Sequence, residues 1–157
     1  MFAHSPNVTK CGVAVLLARS MLAGCNVSMR FCDNAGRLIV LELDYAAFKI
    51  ILFGIYAPTQ KHVHLQTSFL DMLRKQLDNL SAQEGPEIIM CGDFNLYLSH
   101  LDVHKGRDRL TQPSNALKSI LSDFSLSDVW REKYNHRRRY TWRRLNPFQQ
   151  SRIDCFH

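Results

Sequence analysis

A β-strand with one face in water alternates apolar and polar residues, whereas one that is apolar on both faces must be covered from both sides. Residues 48–56 read Phe-Lys-Ile-Ile-Leu-Phe-Gly-Ile-Tyr, apolar on both faces, and predict a central strand ended by Ala57-Pro58-Thr59. Glu87–Cys91 is a second buried-strand run, closed by Gly92. Between them Leu65, Phe69, Leu73, Leu77 and Leu80 recur every three or four residues. That period predicts an amphipathic helix over roughly 65–82, broken at Glu84-Gly85-Pro86.

The remaining signals fill in a mixed architecture. Gly12–Leu17 has strand character, and Asn26–Cys32 alternates, with Val27, Met29 and Phe31 on one face. Asp33-Asn34-Ala35-Gly36 is turn chemistry and Leu38–Asp44 alternates again, so 26–44 reads as a β-hairpin. Leu117, Ile120, Leu121 and Phe124 mark a second helix, with Pro113 suited to its first turn. Arg139–Arg143 and Arg152–Phe156 read as short strands. Many strands with two helices inserted give an α/β or α+β domain, and no linker divides it. At 157 residues and 46% hydrophobic, the chain is the size of one domain and too apolar to be disordered. No apolar stretch approaches the ~18 residues a membrane-spanning helix needs.

Charge is segregated. Residues 1–104 hold 8 Lys/Arg against 9 Asp/Glu, and residues 105–157 hold 12 against 5. Most of the excess lies in Arg131, Lys133, Arg137, Arg138, Arg139, Arg143 and Arg144, opposed within that stretch by Glu132 alone. A solvated basic loop is the plain alternative. The interleaved Tyr134, Tyr140 and Trp142 favour nucleic acid, because neutralised phosphates release counterions and aromatic faces stack on bases. Five cysteines, an odd number with no C-x-x-C pair, support neither a zinc ribbon nor a disulfide framework. A reducing compartment, nuclear or cytoplasmic, is expected. Leu22-Ala23-Gly24-Cys25 looks like a lipoprotein cleavage box, but Arg19 interrupts its apolar stretch, so secretion is not expected. His62-Val63-His64 reads as a polar loop rather than a metal pair, for lack of a third ligand at suitable spacing.

The chemistry concentrates after the second buried strand, in Gly92-Asp93-Phe94-Asn95. In extended backbone, residues two apart point the same way, so a carboxylate and a carboxamide emerge together at a strand's carboxyl end. The Asp can orient water or help hold a hard cation, and the Asn can donate to a phosphate oxygen. Tyr56 ends the other buried strand with a phenol. Asp154 lies inside a short apolar strand and needs a partner, which in catalytic sites is often a His that it orients.

Taken in order, Gly-Val-Ala at 12–14, Ile-Tyr-Ala-Pro at 55–58, Gly-Asp-Phe-Asn at 92–95, Asp-Val-Trp-Arg at 128–131, Tyr-Thr-Trp at 140–142 and Ser-Arg-Ile-Asp at 151–154 resemble the endonuclease/exonuclease/phosphatase superfamily. More narrowly, they resemble the apurinic-type endonuclease domain of LINE-like (non-LTR) retrotransposons. The resemblance implies a DNase I-like four-layer α/β/β/α sandwich and Mg²⁺-dependent cleavage of DNA. It implies that Asp93 orients or activates the attacking water and is a metal-ligand candidate. It further implies that Asn95 contacts the scissile phosphate, that Tyr56 hydrogen-bonds a phosphate oxygen, that Thr141 lines the site wall and that Asp154 orients a catalytic histidine. No small-molecule cofactor and no membrane enter this picture.

Two departures shape the expectation. The family's metal-binding Glu lies upstream of the Gly-Val-Ala block, where these residues hold no Glu. Its Ser-Asp-His block lies downstream of the Ser-Arg-Ile-Asp block, and His157, three residues after Asp154, is spaced far too closely to be that histidine. Residues 1–157 therefore read as a partial domain with weak or absent turnover, exposed sheet edges and marginal stability. The alternatives are a non-catalytic nucleic-acid-binding fragment using 131–144, a relative acting on inositol phosphates or phospholipids, and, remotely, a lipoprotein.

Overall fold

The computed structural model of the protein describes residues 2–4, 12–59, 61–81, 85–104, 110–146 and 148–157. Along them run β1 (Phe2–His4), β2 (Gly12–Ala14), β3 (Cys25–Cys32), β4 (Leu38–Tyr45), β5 (Phe48–Tyr56), α1 (Val63–Ser81) and β6 (Glu87–Asp93). They continue with β7 (Val103–His104), α2 (Gln112–Asp123), α3 (Val129–Lys133), β8 (Trp142–Arg144), β9 (Gln149–Ser151) and β10 (Asp154–Phe156). Cys11 and Glu84 lie outside the described residues.

The two doubly apolar runs become neighbours. β5 and β6 pair in parallel from Ile50↔Glu87 to Tyr56↔Asp93, and α1 carries the chain back between them, as parallel pairing requires. They sit within a five-stranded sheet ordered β10-β6-β5-β4-β3, antiparallel elsewhere. Both faces are covered. On one, Leu38, Val40, Ile51, Phe53, Ile55 and Met90 pack against Phe69, Leu73 and Leu77 of α1 and Leu117, Ile120 and Leu121 of α2. On the other, Ile39, Leu41 and Leu43 pack with Ile50, Leu52 and the segment bearing Val13, Val15 and Leu17. Each fully buried Leu, Ile or Phe stabilises the sheet by roughly 1.5–3 kcal/mol relative to exposure. The β1-β2 pair is antiparallel, and the three-stranded sheet β7-β9-β8 adjoins β10 through Arg152 and Ile153.

Local chemistry explains the joints. Asp33 Oδ1 accepts from the backbone N–H of Arg37 (2.6 Å) and of Leu38 (2.8 Å), closing the β3–β4 turn with Gly36 at φ 67°. Thr111 caps α2 by accepting from the Ser114 N–H, and Pro113 lies in its first turn.

Several sequence expectations are corrected. Val27 and Phe31 do not share a face: a bulge between Met29 and Phe31 turns Phe31 toward the helices, while Val27 packs on the opposite side. Only Gly12–Ala14 of the 12–17 run is strand; Val15 and Leu17 cover the sheet as irregular backbone. Arg139–Arg143 gives way to a shorter strand shifted to Trp142–Arg144, and Arg152–Phe156 shortens to Asp154–Phe156, with Arg152 and Ile153 linking β9 to β10. His64 belongs to the first turn of α1 rather than to a loop, its ring edge-on to His62 at 6.3 Å. The residues of the cleavage-box pattern lead from a 3₁₀ turn at Arg19–Leu22 into β3. No helix among the described residues is long and apolar enough to cross a membrane.

Candidate active site

Parity and register assemble the site. Leu38, Ile55 and Met90 face the helices, so the odd-even alternation of each strand sends Arg37, Tyr56 and Asp93 to the opposite face. Tyr56 and Asp93 are Cα partners at the carboxyl ends of the two parallel strands. Asp93 and Asp154 are Cα partners across β6 and β10. Tyr56, Asp93 and Asp154 thus stand in one row across three adjacent strands. The row is held by backbone bonds: Ala57 N–H donates to Asp93 O (2.8 Å), and Phe94 N–H donates to Ile153 O (2.9 Å).

Gly92 makes this geometry possible. Its φ is +133°, and a Cβ there would lie 2.0 Å from the backbone oxygen of Ile55. Phe94, fully buried and packed in the helix-side core, then anchors the turn, its ring edge-on to His157 at 5.2 Å. Asn95 takes a left-handed conformation, φ 50°, which Asn tolerates better than most residues. Its N–H donates to Asp93 Oδ1 (2.8 Å), and its side-chain Nδ2 donates to Ala57 O (2.8 Å). Of the two amide hydrogens that Asn95 carries, this bond commits one to the fold.

Thr141 joins the row through its hydroxyl, which accepts from the N–H groups of Ile153 (3.1 Å) and Asp154 (3.2 Å). It therefore fixes the start of β10. Asp154 itself is exposed, so the sequence expectation that its charge is buried and in need of a partner is corrected; the buried charge of that block is Arg152, 3% exposed. His157, an odd number of residues from Asp154 along β10, is on the other side of the sheet and buried, its Nδ1 3.3 Å from Ser127 O. Burial pushes its imidazole below the usual range.

Electrostatics concentrate on Asp93. Partial burial raises its carboxyl above the ordinary value, the Asn95 N–H opposes this, and the Asp154 charge raises it further. The two carboxylates feel one another. Among the described residues no group of three His, Cys, Asp or Glu could hold a metal ion.

The basic segment splits into two parts. Arg131 turns inward: it pairs with Asp102, and its Nη1 donates to the carbonyls of Tyr134, Asn135 and Arg137 at 3.3, 3.3 and 2.9 Å. Asp102, 1% exposed, also takes Arg152 (2.9 Å), which reaches on to Asp128, the N-cap of α3. Both guanidinium groups also lie near the Trp130 ring, Arg131 at 4.8 Å and Arg152 at 5.1 Å from its centroid. The Asp-Val-Trp-Arg block is thus the hub of an ion network. Arg137, Arg138, Arg139, Arg143 and Arg144 are exposed, and the loop bearing the first three runs directly into Thr141. Of the three aromatics in the segment, Tyr134 is covered by Arg137 and Lys133 and Tyr140 meets His104 edge-on, while Trp142 is 40% exposed.

Sequence reasoning missed Arg37, Asp102 and Arg152. Arg37 falls between the 33–36 turn and the Leu38–Asp44 strand, and only strand pairing brings it beside Tyr56. Asp102 and Arg152 are 50 residues apart and meet only in the folded chain.

Comparison with known proteins places the fold and the family. The fold is DNase I-like, mixed α/β. It is similar to the endonuclease domain of TRAS1, a telomere-specific non-LTR retrotransposon (TM-score 0.56, 19% identity, covering 84% of this chain and 54% of that one). It is also similar to an AP endonuclease from Archaeoglobus fulgidus (TM-score 0.56, 18% identity, covering 85% and 66%). The family model of the endonuclease/exonuclease/phosphatase family matches residues 2–154, and the chain belongs to that family. The transposon TX1 uncharacterized 149 kDa protein of Xenopus laevis is 31% identical over 150 residues, which is 93% of this chain and 11% of that protein. The chain thus spans a small part of that relative and about half of the TRAS1 domain.

Proposed function

We propose that residues 1–157 carry part of a phosphodiester-hydrolysing site that acts on DNA, of the kind a retrotransposon endonuclease uses. The observation that carries this reading is the row Tyr56–Asp93–Asp154, with Asn95 bonded to Asp93. A phenol and an amide N–H are donors for the non-bridging oxygens of a phosphate. Asp93, its carboxyl raised above the ordinary value by burial and by Asp154, suits orienting a water and taking its proton as the water oxygen bonds phosphorus and the ester oxygen departs. Asp154 keeps that proton affinity high, and Thr141 fixes where Asp154 stands. The exposed arginines beside Thr141 would track the backbone of a bound strand.

Mg²⁺ fits this donor set. Asp93 and Asp154 are hard oxygen ligands on adjacent strands, and Mg²⁺ is commonly held by one or two carboxylates together with water and substrate phosphate. When bound, the ion supplies charge stabilisation at the phosphate. With two carboxylates and no third ligand grouped with them among the described residues, turnover by this stretch alone is weak or absent. A DNA substrate, together with Cys25, Cys32, Cys91 and Cys155 as free thiols, fits a nuclear or cytoplasmic setting.

The test is plasmid nicking with and without Mg²⁺, beside DNA binding, for the 157-residue chain and its Asp93→Ala and Asn95→Ala variants. Binding with at most slow Mg²⁺-dependent nicking, the binding weakened in Asp93→Ala or Asn95→Ala and any nicking lost in Asp93→Ala, is the expected result. Binding that survives both substitutions with no cleavage favours the second reading, a non-catalytic nucleic-acid-binding module using 131–144. A chain that neither binds nor nicks overturns both.

A further inference from the structure

Arg37 is the one feature of the row that neither the motifs nor the ion networks absorb. It immediately precedes β4 and extends the row by one strand: Leu38 pairs with Ile55, so Arg37 stands beside Tyr56. Its guanidinium lies over the Tyr56 ring, 5.5 Å from the centroid, and its Nη1 donates to Tyr56 O at 3.3 Å. Its backbone is fixed at both ends, by Asp33 Oδ1 on its N–H and by the Tyr56 N–H on its carbonyl (2.6 and 2.8 Å). The other half-buried or buried arginines among the described residues each have a carboxylate: Arg74 has Asp123, Arg131 has Asp102, and Arg152 has Asp102 and Asp128. Among the described residues, no ion pair joins Arg37 to a carboxylate within 4 Å.

We infer that Arg37 is a phosphate-binding residue, its guanidinium taking a phosphate of the DNA backbone beside the Tyr56 phenol. This rests on the reading of the row as a phosphate site. A half-buried guanidinium without a carboxylate keeps donors for an incoming anion, and stacking on Tyr56 limits its rotamers before the ligand arrives. The row is polarised accordingly, with a cation and a phenol at the β4–β5 end and two carboxylates at the β6–β10 end. A phosphate engaged by Arg37 and Tyr56 is thereby brought up to Asp93.

The experiment measures binding of a short labelled duplex by fluorescence anisotropy from about 50 to 200 mM salt. It compares the 157-residue chain with Arg37→Gln and Arg37→Lys, alongside thermal melting of each. Loss of a charged phosphate contact predicts about ten-fold weaker binding for Arg37→Gln. It also predicts a salt slope smaller by about 0.9, with the slope retained in Arg37→Lys. The slope separates contact from scaffolding, because a loosened fold weakens binding without removing one released counterion. Unchanged affinity and slope in Arg37→Gln overturn the inference, as does weaker binding with the full slope. Should Arg37→Gln fail to fold, the lysine variant decides: a reduced slope at wild-type melting temperature overturns the inference, and a retained slope with near wild-type affinity supports it. If the wild-type chain itself shows no salt-dependent binding, the nuclease reading falls and this inference with it.

Discussion

Asp93 and Asp154 are opposite one another across β6 and β10, two carboxylates on adjacent strands with the Asp93 carboxyl raised by burial and by its neighbour. Such a pair costs stability when both groups are ionised, and a site that takes up a cation or a proton recovers that cost. Stability and the chemistry proposed for Asp93 therefore pull against each other at the same residue.

The first prediction follows from the sign of that shift. A carboxyl whose folded pKa lies above its unfolded value binds protons more tightly when folded, so it lowers stability as pH rises through the window above 3.8. Asp93→Asn removes the charge, and its amide oxygen can still accept from the Asn95 N–H. The variant should be more stable than wild type at neutral pH, by about 1 kcal/mol or less because the group is partly solvated. The gain should vanish below the ordinary carboxylate range. Urea unfolding at pH 7 and at low pH checks it, and a variant less stable at pH 7 contradicts it.

Gly92 is the second. At φ +133° with Ile55 O 2.0 Å from where a Cβ would sit, Gly92→Ala must shift backbone in two paired strands. A loss of about 3 kcal/mol or more is expected. Chemical denaturation gives the number, and near wild-type stability would show that β5 and β6 part more easily than their register suggests.

The third concerns the ion network. Asp102→Ala leaves the neighbouring Arg131 and Arg152 without their shared carboxylate, with Asp128 as the remaining carboxylate partner of Arg152. Removing one member of a buried network costs roughly 3–5 kcal/mol. Loss of the cooperative melting transition, or a large drop in its midpoint, is the expected readout; a change of a degree or two speaks against the network as the clasp between the small sheet and β10.

The basic segment gives a contrast within one stretch of sequence. Arg138→Ala, at an exposed position, should leave the melting temperature unchanged and reduce the salt slope of DNA binding by about one. Arg131→Ala should do the reverse, lowering stability while its effect on the slope stays small. Equal effects from the two would contradict the division between an inward arginine and an outward one.

Periodicity made the frame of the fold legible. β5 matches the Phe48–Tyr56 run, α1 extends the 65–82 helix by two residues at its start, and the 26–44 hairpin gains one residue at each end. These elements are written in local patterns of apolar residues and in turn chemistry that acts within a few positions. The bulge at Met29/Phe31 was not legible, because an extra residue leaves the composition of a strand unchanged while reversing its faces. The catalytic candidates were legible because they occur in ordered blocks. Their partners Arg37, Asp102 and Arg152 were not, because each acquires its neighbour only when distant segments pair.

By itself the sequence determined which strands must be buried on both faces, where the helix between them runs, and which residues carry acid, amide and phenol. Tertiary structure alone decided that Tyr56, Asp93 and Asp154 share one row, that Arg37 extends it, and that Arg131 points inward while Arg138 points out. The physical reason is range. Alternation and capping are set by neighbours along the chain, whereas register is set by which backbones come to hydrogen-bond, and a shift of one position would send every one of these side chains to the other face.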